Sequence, residues 1–296
     1  SNTEITSATF VFPTDSSVRA ANVKTGEAEF ASWLTKDECE ASPKCLPTAG
    51  IETLIVRLDT PCTPLSDLRV REAIAMSFSK EQIMDELVGG TATAQIAGPS
   101  ALGYNDSLKP YPYDQAQAKE LIAEAKADGV PVDMQMHVDA TIGVNPHASE
   151  IVQLIAQSMR EIGIPNVDTE MRNKEDFEKD WTSGYDAITP QRCFIGMSQH
   201  GNELMDYSSS VQSYYSCESR TSAYCDPAFD QKIEAALPLT GNERDQALQV
   251  LAKDVYDQAL IIPIGQPNFF YGVADNLEWK PRMDGFILFK EMKFSD

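Results

Sequence analysis

The stretch from Val132 to Met171 limits the fold more than any other part of the sequence. Val132 to Val138 alternates as a strand, Ala148 to Ile162 has the spacing of an amphipathic helix, and Asn166 to Met171 returns as a strand. A strand, a helix and a second strand of these lengths make a crossover unit, which pairs its strands in parallel with right-handed connection. The same alternation runs through most of the chain and predicts α/β architecture. Ala8 to Pro13 reads as a strand, a short helix spans Ser17 to Lys24 before Gly26, and Ile51 to Leu58 is a β-branched strand. A helix is expected from Asp67 to Phe78. Capping boxes are expected at Ser79 with Gln82, Asp114 with Gln117, and Thr240 with Glu243, and Asp226-Pro227 should open another helix. Gln191 to Tyr224 is polar and aromatic, shows no clear period, and reads as a long functional or cysteine-stapled loop.

Charge and cysteine content narrow the setting. The net charge of −21 argues against nucleic acid and against adsorption on an anionic membrane, since both require clustered Lys and Arg. No apolar run approaches the ~20 residues needed to cross a bilayer. The chain opens at Ser1 with no secretory apolar stretch, so either a leader has been removed or the chain begins inside a longer protein. Cys39 with Cys45, and Cys217 with Cys225, each bracket a short polar stretch and read as local disulfides of an oxidising compartment. Cys62 and Cys193 are left over, either paired or buried singly.

Catalytic and cofactor patterns are absent or incomplete. Gly196-Met197-Ser198-Gln199-His200 lacks the final glycine of a nucleophile elbow. His137, His147 and His200 have no metal-ligand spacing, and the flanks of Cys62 and Cys193 carry no sign of an activated thiolate. There is no phosphate-binding or dinucleotide-binding glycine loop. These absences predict neither a catalytic residue nor a cofactor nor a metal.

Pro64 to Glu81, with Asp67, Arg69, Val70, Arg71, Ala73 and Ile74, resembles the signature segment of the extracellular solute-binding proteins of family 5, the oligopeptide-, dipeptide- and nickel-binding group. Collinear segments agree. They are Asp15 to Glu29, Gly89 to Ala92, Tyr113-Asp114 with Ala118, Lys119, Leu121 and Ala125, Tyr224 to Asp230, and Ile262-Pro263-Ile264. The resemblance implies a clamshell of the type II periplasmic-binding class. Lobe one would be 1–59 and 259–296, lobe two 60–258, and the hinge strands Thr53 to Leu58 and Ile261 to Gly265. It also implies a monomeric receptor that closes on a small peptide or related solute and delivers it to an ABC permease in the inner membrane. Such a receptor is periplasmic, exported by a signal peptide that would lie upstream, with this chain covering about the C-terminal half of a member. On that view residues 1–296 alone should bind ligand weakly or not at all.

In peptide-binding relatives the loop after the third strand of lobe two carries an aspartate for the ligand's α-amino group. Here that loop would be Phe194 to Asp206, and the usual aromatic-acidic pattern is replaced by Gly196 to Glu203. Met197, Asn202, Glu203 and Asp206 in this segment are the resulting candidates, together with Arg192 and His200 as polar anchors. Gln266, Asn268 and Phe269 follow the return hinge and are expected to face the cleft. The competing readings are a hydrolase-type α/β enzyme, or a receptor module for a protein partner with no transport role.

Overall fold

The structure, a computed structural model, describes residues 5–143, 145 and 147–295. Its framework is a mixed sheet ordered β1-β8-β3-β7-β5-β6, with β2 and β4 also pairing β8. These strands are β1 (Phe30–Ala31), β2 (Lys44–Ala49), β3 (Glu52–Leu58), β4 (Gly90–Ala92), β5 (Met136–Thr141), β6 (Val167–Arg172), β7 (Phe194–Gly201) and β8 (Ile261–Val273). A separate hairpin-like pair joins β9 (Leu277–Glu278) to β10 (Lys293–Phe294). The expected crossover is present: β5 runs parallel to β6, and α7 (Ala148–Glu161) connects them. The first strand of that unit begins later than the sequence indicates, because Pro131 opens a turn closed by the Met134 amide.

Side-chain alternation sets the two faces. On β3, Leu54, Val56 and Leu58 enter one core while Ile55 enters the opposite one; on β7, Ile195 and Met197 share the first core and Phe194 the second. The first core is covered by α4 (Leu68–Met76), α6 (Gln115–Ala127) and α7. The second is covered by α8 (Lys174–Trp181), α9 (Tyr207–Tyr215), α10 (Pro227–Ala236) and α11 (Gly241–Asp257). Two smaller cores form around the far half of β8. Phe269, Tyr271 and Val273 pack with Leu277 and Trp279, and Phe270 packs with Val23, Ala31, Leu34 and Cys39 beneath α1 (Ser16–Thr25) and α2 (Lys36–Glu40).

Motif residues of the signature segment do structural work. Asp67 caps the Arg69 amide and holds the Arg69 guanidinium at 2.8 Å. Buried Arg71 donates to the carbonyls of Leu65, Ser66 and Gln258, tying α3 (Thr63–Ser66) to the end of α11. Asp226 caps its helix as expected, and Asp114 accepts from the Gln117 amide, one half of the expected box. Ser79 caps α5 (Lys80–Gln82), which continues as a π-helical turn over Ile83–Val88 to Gly89.

Several sequence expectations are corrected. Ala8 to Pro13 is not a strand: it finds no ladder partner among the described residues, and Phe10 and Phe12 lie exposed against Phe289 and each other. Thr240 makes no side-chain cap bond. Gln191 to Tyr224 is not a loop but contains β7, central in the sheet, and α9. Its first half is buried on both faces, which erases polar–apolar alternation, and Gly196 admits the Trp181 ring, which lies 2.8 Å from where a Cβ would stand.

All six cysteines pair: Cys39–Cys45 and Cys217–Cys225 as read from the sequence, and Cys62–Cys193 across 131 residues. Reduction under denaturing conditions should expose six alkylatable thiols, none of which reacts before reduction. Replacing Cys62 and Cys193 by Ala should cost about 5 kcal/mol in chain entropy, against about 2 for the Cys39–Cys45 loop. Chemical denaturation of the two double variants checks the order.

Candidate functional site

The site is built where β8 leaves the large cores and enters the small ones. Through Gly265 it pairs with β3; from Gly265 onward it pairs with β4 and then β2, and the ladder to β3 slips between Leu54 and Ile55, at Ile264. A cavity of about 40 Å³ opens at this crossing. Gln199 of β7, Asn145, His147, Leu87, Val88, Trp33, Leu34, Thr35 and residues Pro267 to Phe270 line it. Ligand cavities are typically ~300–1,000 Å³, so this volume is far below that of a whole ligand site. Phe269 is seated by Gly50, where a Cβ would fall 2.3 Å from its ring.

Only part of the sequence-derived candidate set reaches this crossing. Asn268 and Phe269 line the cavity. Gln266 turns its amide against Gly98 beside the β4 pairing. Met197 is buried in the first core. Asn202 and Asp206 brace the turn into α9: the Asn202 amide bonds Asp206 and Ser210, while Asp206 caps Ser208 and pairs with Arg244 at 3.0 Å. Arg192 is engaged at 2.9 Å by Asp59 and at 3.2 Å by Asp180. That pair belongs to a chain of charges beneath the second core, in which Arg57, 2% exposed, meets Asp59 at 3.0 Å and lies over the Trp181 ring. Burial pushes the Asp59 carboxyl up and the Arg57 guanidinium down, and each opposes the other's shift.

Glu203 stands exposed at the turn after β7 and folds its carboxylate back over Gly201. Gly201 pairs with Glu52 at the start of β3. Burial, then the Glu203 charge, pushes the Glu52 carboxyl up to about 7. On the other face His200 meets Ser210 at 2.7 Å and the edge of Tyr214. Burial holds its imidazole down at about 4, against the opposing charge of Glu203. This His–Ser contact is sealed, since Ser210 is 0% exposed and already bonded by Asn202, so no substrate carbonyl can reach it. Among the described residues no group of three His, Cys, Asp or Glu is placed to hold a metal ion.

Trp33, Gln199, Asn145, His147 and Glu52 were not singled out from the sequence. Gln199 is hidden inside a segment without period, and the rest converge from distant stretches. A tryptophan two residues before the Thr35–Glu38 capping box was the one signal that could have drawn notice.

A family model described as bacterial extracellular solute-binding proteins, family 5 middle region, matches residues 2–221. The chain belongs to this family. Di/tripeptide-binding protein 2 of Pseudomonas aeruginosa is 27% identical over 272 residues, covering 89% of this chain and 50% of the relative. A glutathione-binding protein of Salmonella paratyphi A is 25% identical over 254 residues, covering 82% and 48%. The chain thus spans about half the length of the curated relatives it matches. Among solved structures, the periplasmic binding protein DppA of Helicobacter pylori in complex with the peptide STSA superposes with a TM-score of 0.80 at 19% identity, over 95% of this chain and 56% of that one. The oligopeptide-binding protein AppA of Bacillus subtilis, in complex with a nonapeptide, gives 0.78 at 12% identity, over 96% and 59%. The fold is that of the periplasmic peptide-binding proteins.

The two perturbed groups give opposite pH arms. His200 folds with its pKa below the ordinary 6.5, so the unfolded state takes the proton first and stability falls from about pH 6.5 to about 4. Glu52 folds with its pKa above the ordinary 4.5, so stability falls as pH rises from about 4.5 to about 7. Glu52→Gln should therefore raise stability by about 1–2 kcal/mol at pH 8 and hardly at pH 4.5. His200→Gln should flatten the acid arm alone. Thermal melts across pH at fixed ionic strength check both.

Proposed function

We propose that this chain carries the ligand cleft of an extracytoplasmic receptor that captures small peptides or closely related solutes and passes them to an ABC permease, binding without turnover. Family membership carries the reading, and the printed functions of the relatives, di/tripeptide and glutathione binding, set the ligand class. Physically, a peptide receptor needs groups that pair with amides, apolar contacts for side chains and a charged partner for a terminus. Gln199, Asn145 and Asn268 supply the amides, and Trp33 and Phe269 the apolar contacts.

In this reading lobe two is 60–258 and lobe one is 1–59 with 259–296. The two large cores draw mainly on 60–258 together with β3 and the start of β8, and the small ones on 1–59 and 259–296. Closure would bend the β3–β8 ladder at its slip, beside the cavity. Expelling water from the closed cleft strengthens each polar contact within it.

Glu203, beside Glu52, is the acidic anchor in this reading. A ligand α-ammonium placed there relieves the repulsion between the two carboxylates and finds a charge the ligand's amide groups do not need. Arg192, Met197, His200, Asn202, Asp206 and Gln266 then serve as scaffold around the cleft. No helix among the described residues is long and apolar enough to cross a membrane.

Calorimetric titration of the whole protein with di- and tripeptides, glutathione, N-acetylated peptides and sugars tests the proposal. The expected result is saturable binding of free-amino peptides. Glu203→Gln should weaken it about tenfold, equivalent to about 1.4 kcal/mol, while affinity for N-acetylated peptides stays unchanged. Saturable binding of sugars alone would overturn the peptide reading.

A further inference from the structure

We infer that Trp33 is an aromatic platform that selects the side chain of the bound solute, and that Arg19 is the residue that positions it; the inference rests on the peptide-receptor reading above. Trp33 has φ +57°, in the left-handed region that bulky residues rarely enter. Strain of this kind persists where surrounding contacts over-determine the backbone. Here they do so on both sides. The Arg19 guanidinium donates to the carbonyls of Ser32 (3.1 Å) and Trp33 (2.7 Å), and to those of Pro13 and Thr14 (both 2.9 Å). The next residue, Leu34, donates its amide to Phe270 of β8, and Thr35 then closes the capping box with Glu38.

The constrained turn does not bury the indole. Trp33 remains 44% exposed, with its ring at 5.1 Å and 69° to Phe269, and it lines the cavity at the β8 crossing. A strained, doubly pinned backbone that displays a tryptophan at a cavity mouth is organised for contact with something outside the chain. The described lining residues specify that contact's chemistry. Leu34, Leu87, Val88 and Phe269 are apolar, Asn145, Gln199 and Asn268 are neutral amides, and His147 is the one titratable group. Neither carboxylate, lysine nor arginine lines the space, so a charged side chain would lose its hydration there without a partner. The solute this subsite takes therefore bears an uncharged aromatic or branched apolar side chain, stacked on the indole, with its amide groups held by the amide side chains.

The test uses the whole protein and a dipeptide set with an Ala first residue and Phe, Leu, Ala, Asp or Lys second, titrated by calorimetry. Wild type should favour Ala-Phe and Ala-Leu over Ala-Asp and Ala-Lys by about tenfold or more. Trp33→Ala should erase that ratio, weakening Ala-Phe and Ala-Leu about tenfold more than Ala-Asp and Ala-Lys, and Trp33→Phe should keep most of it. Arg19→Lys, which loses the planar fork, should lower the ratio in the same way; a merely structural role would weaken all five peptides equally. Intrinsic fluorescence is an independent readout, because Trp181 and Trp279 are buried: the wild-type signal should change on binding Ala-Phe, and that of Trp33→Phe should not. Peptide binding with flat selectivity in wild type, or equal losses across the set in Trp33→Ala, overturns this inference alone. Failure of every peptide to bind overturns the receptor reading and the inference together.

Discussion

Strand β8 is the constraint on which the other features depend. Its thirteen residues pair with β1, β2, β3 and β4, so one backbone segment enters every core of the molecule. Ile262 and Ile264 lie in the first large core, whereas Phe269, Tyr271 and Val273 are the centre of a small one. Between them Gly265, Gln266, Pro267 and Asn268 change partners, and the ladder with β3 slips at that level. Close packing resists continuous deformation, so the proposed closure would bend the ladder where it is already irregular. The cavity and its lining residues sit there for the same reason.

Charge is handled differently in the interior and at the cleft. Arg57, Asp59, Arg192, Asp180, Arg172 and Asp139 form a linked series of three cations and three anions beneath the second core. Neutrality within that series is what makes its burial tolerable in a chain of net charge −21. One oxygen of Asp139 is left without a partner, and burial raises its carboxyl's pKa. Near Gly201, by contrast, the nearby Glu203 charge adds to burial at Glu52 and no ion pair to Glu52 forms among the described residues, so its carboxyl holds its proton to about pH 7. The scaffold thus pairs most of its buried charge and leaves an acidic pair at the start of β3. Arg192 looked like an anchor from its position in the sequence because its partners, Asp59 and Asp180, are remote from it in the chain.

What the residues alone determined was local and periodic. The crossover from β5 through α7 to β6, the strand β3, the Asp67, Asp114 and Asp226 caps, and the two short disulfides all depend on neighbours within a few positions, so they were legible. The signature around Asp67, Arg69 and Arg71, with its collinear companions, gave the family and through it the receptor reading. Tertiary structure decided what depended on burial or distant pairing. β7 showed no alternation because its first half is buried on both faces, Ala8 to Pro13 had strand composition but no partner edge among the described residues, and Cys62 met Cys193 only through the fold. The cleft belongs to this second class, since Trp33, Asn145, Gln199 and Asn268 are scattered along the chain and become one surface only where β8 passes from one core to the next.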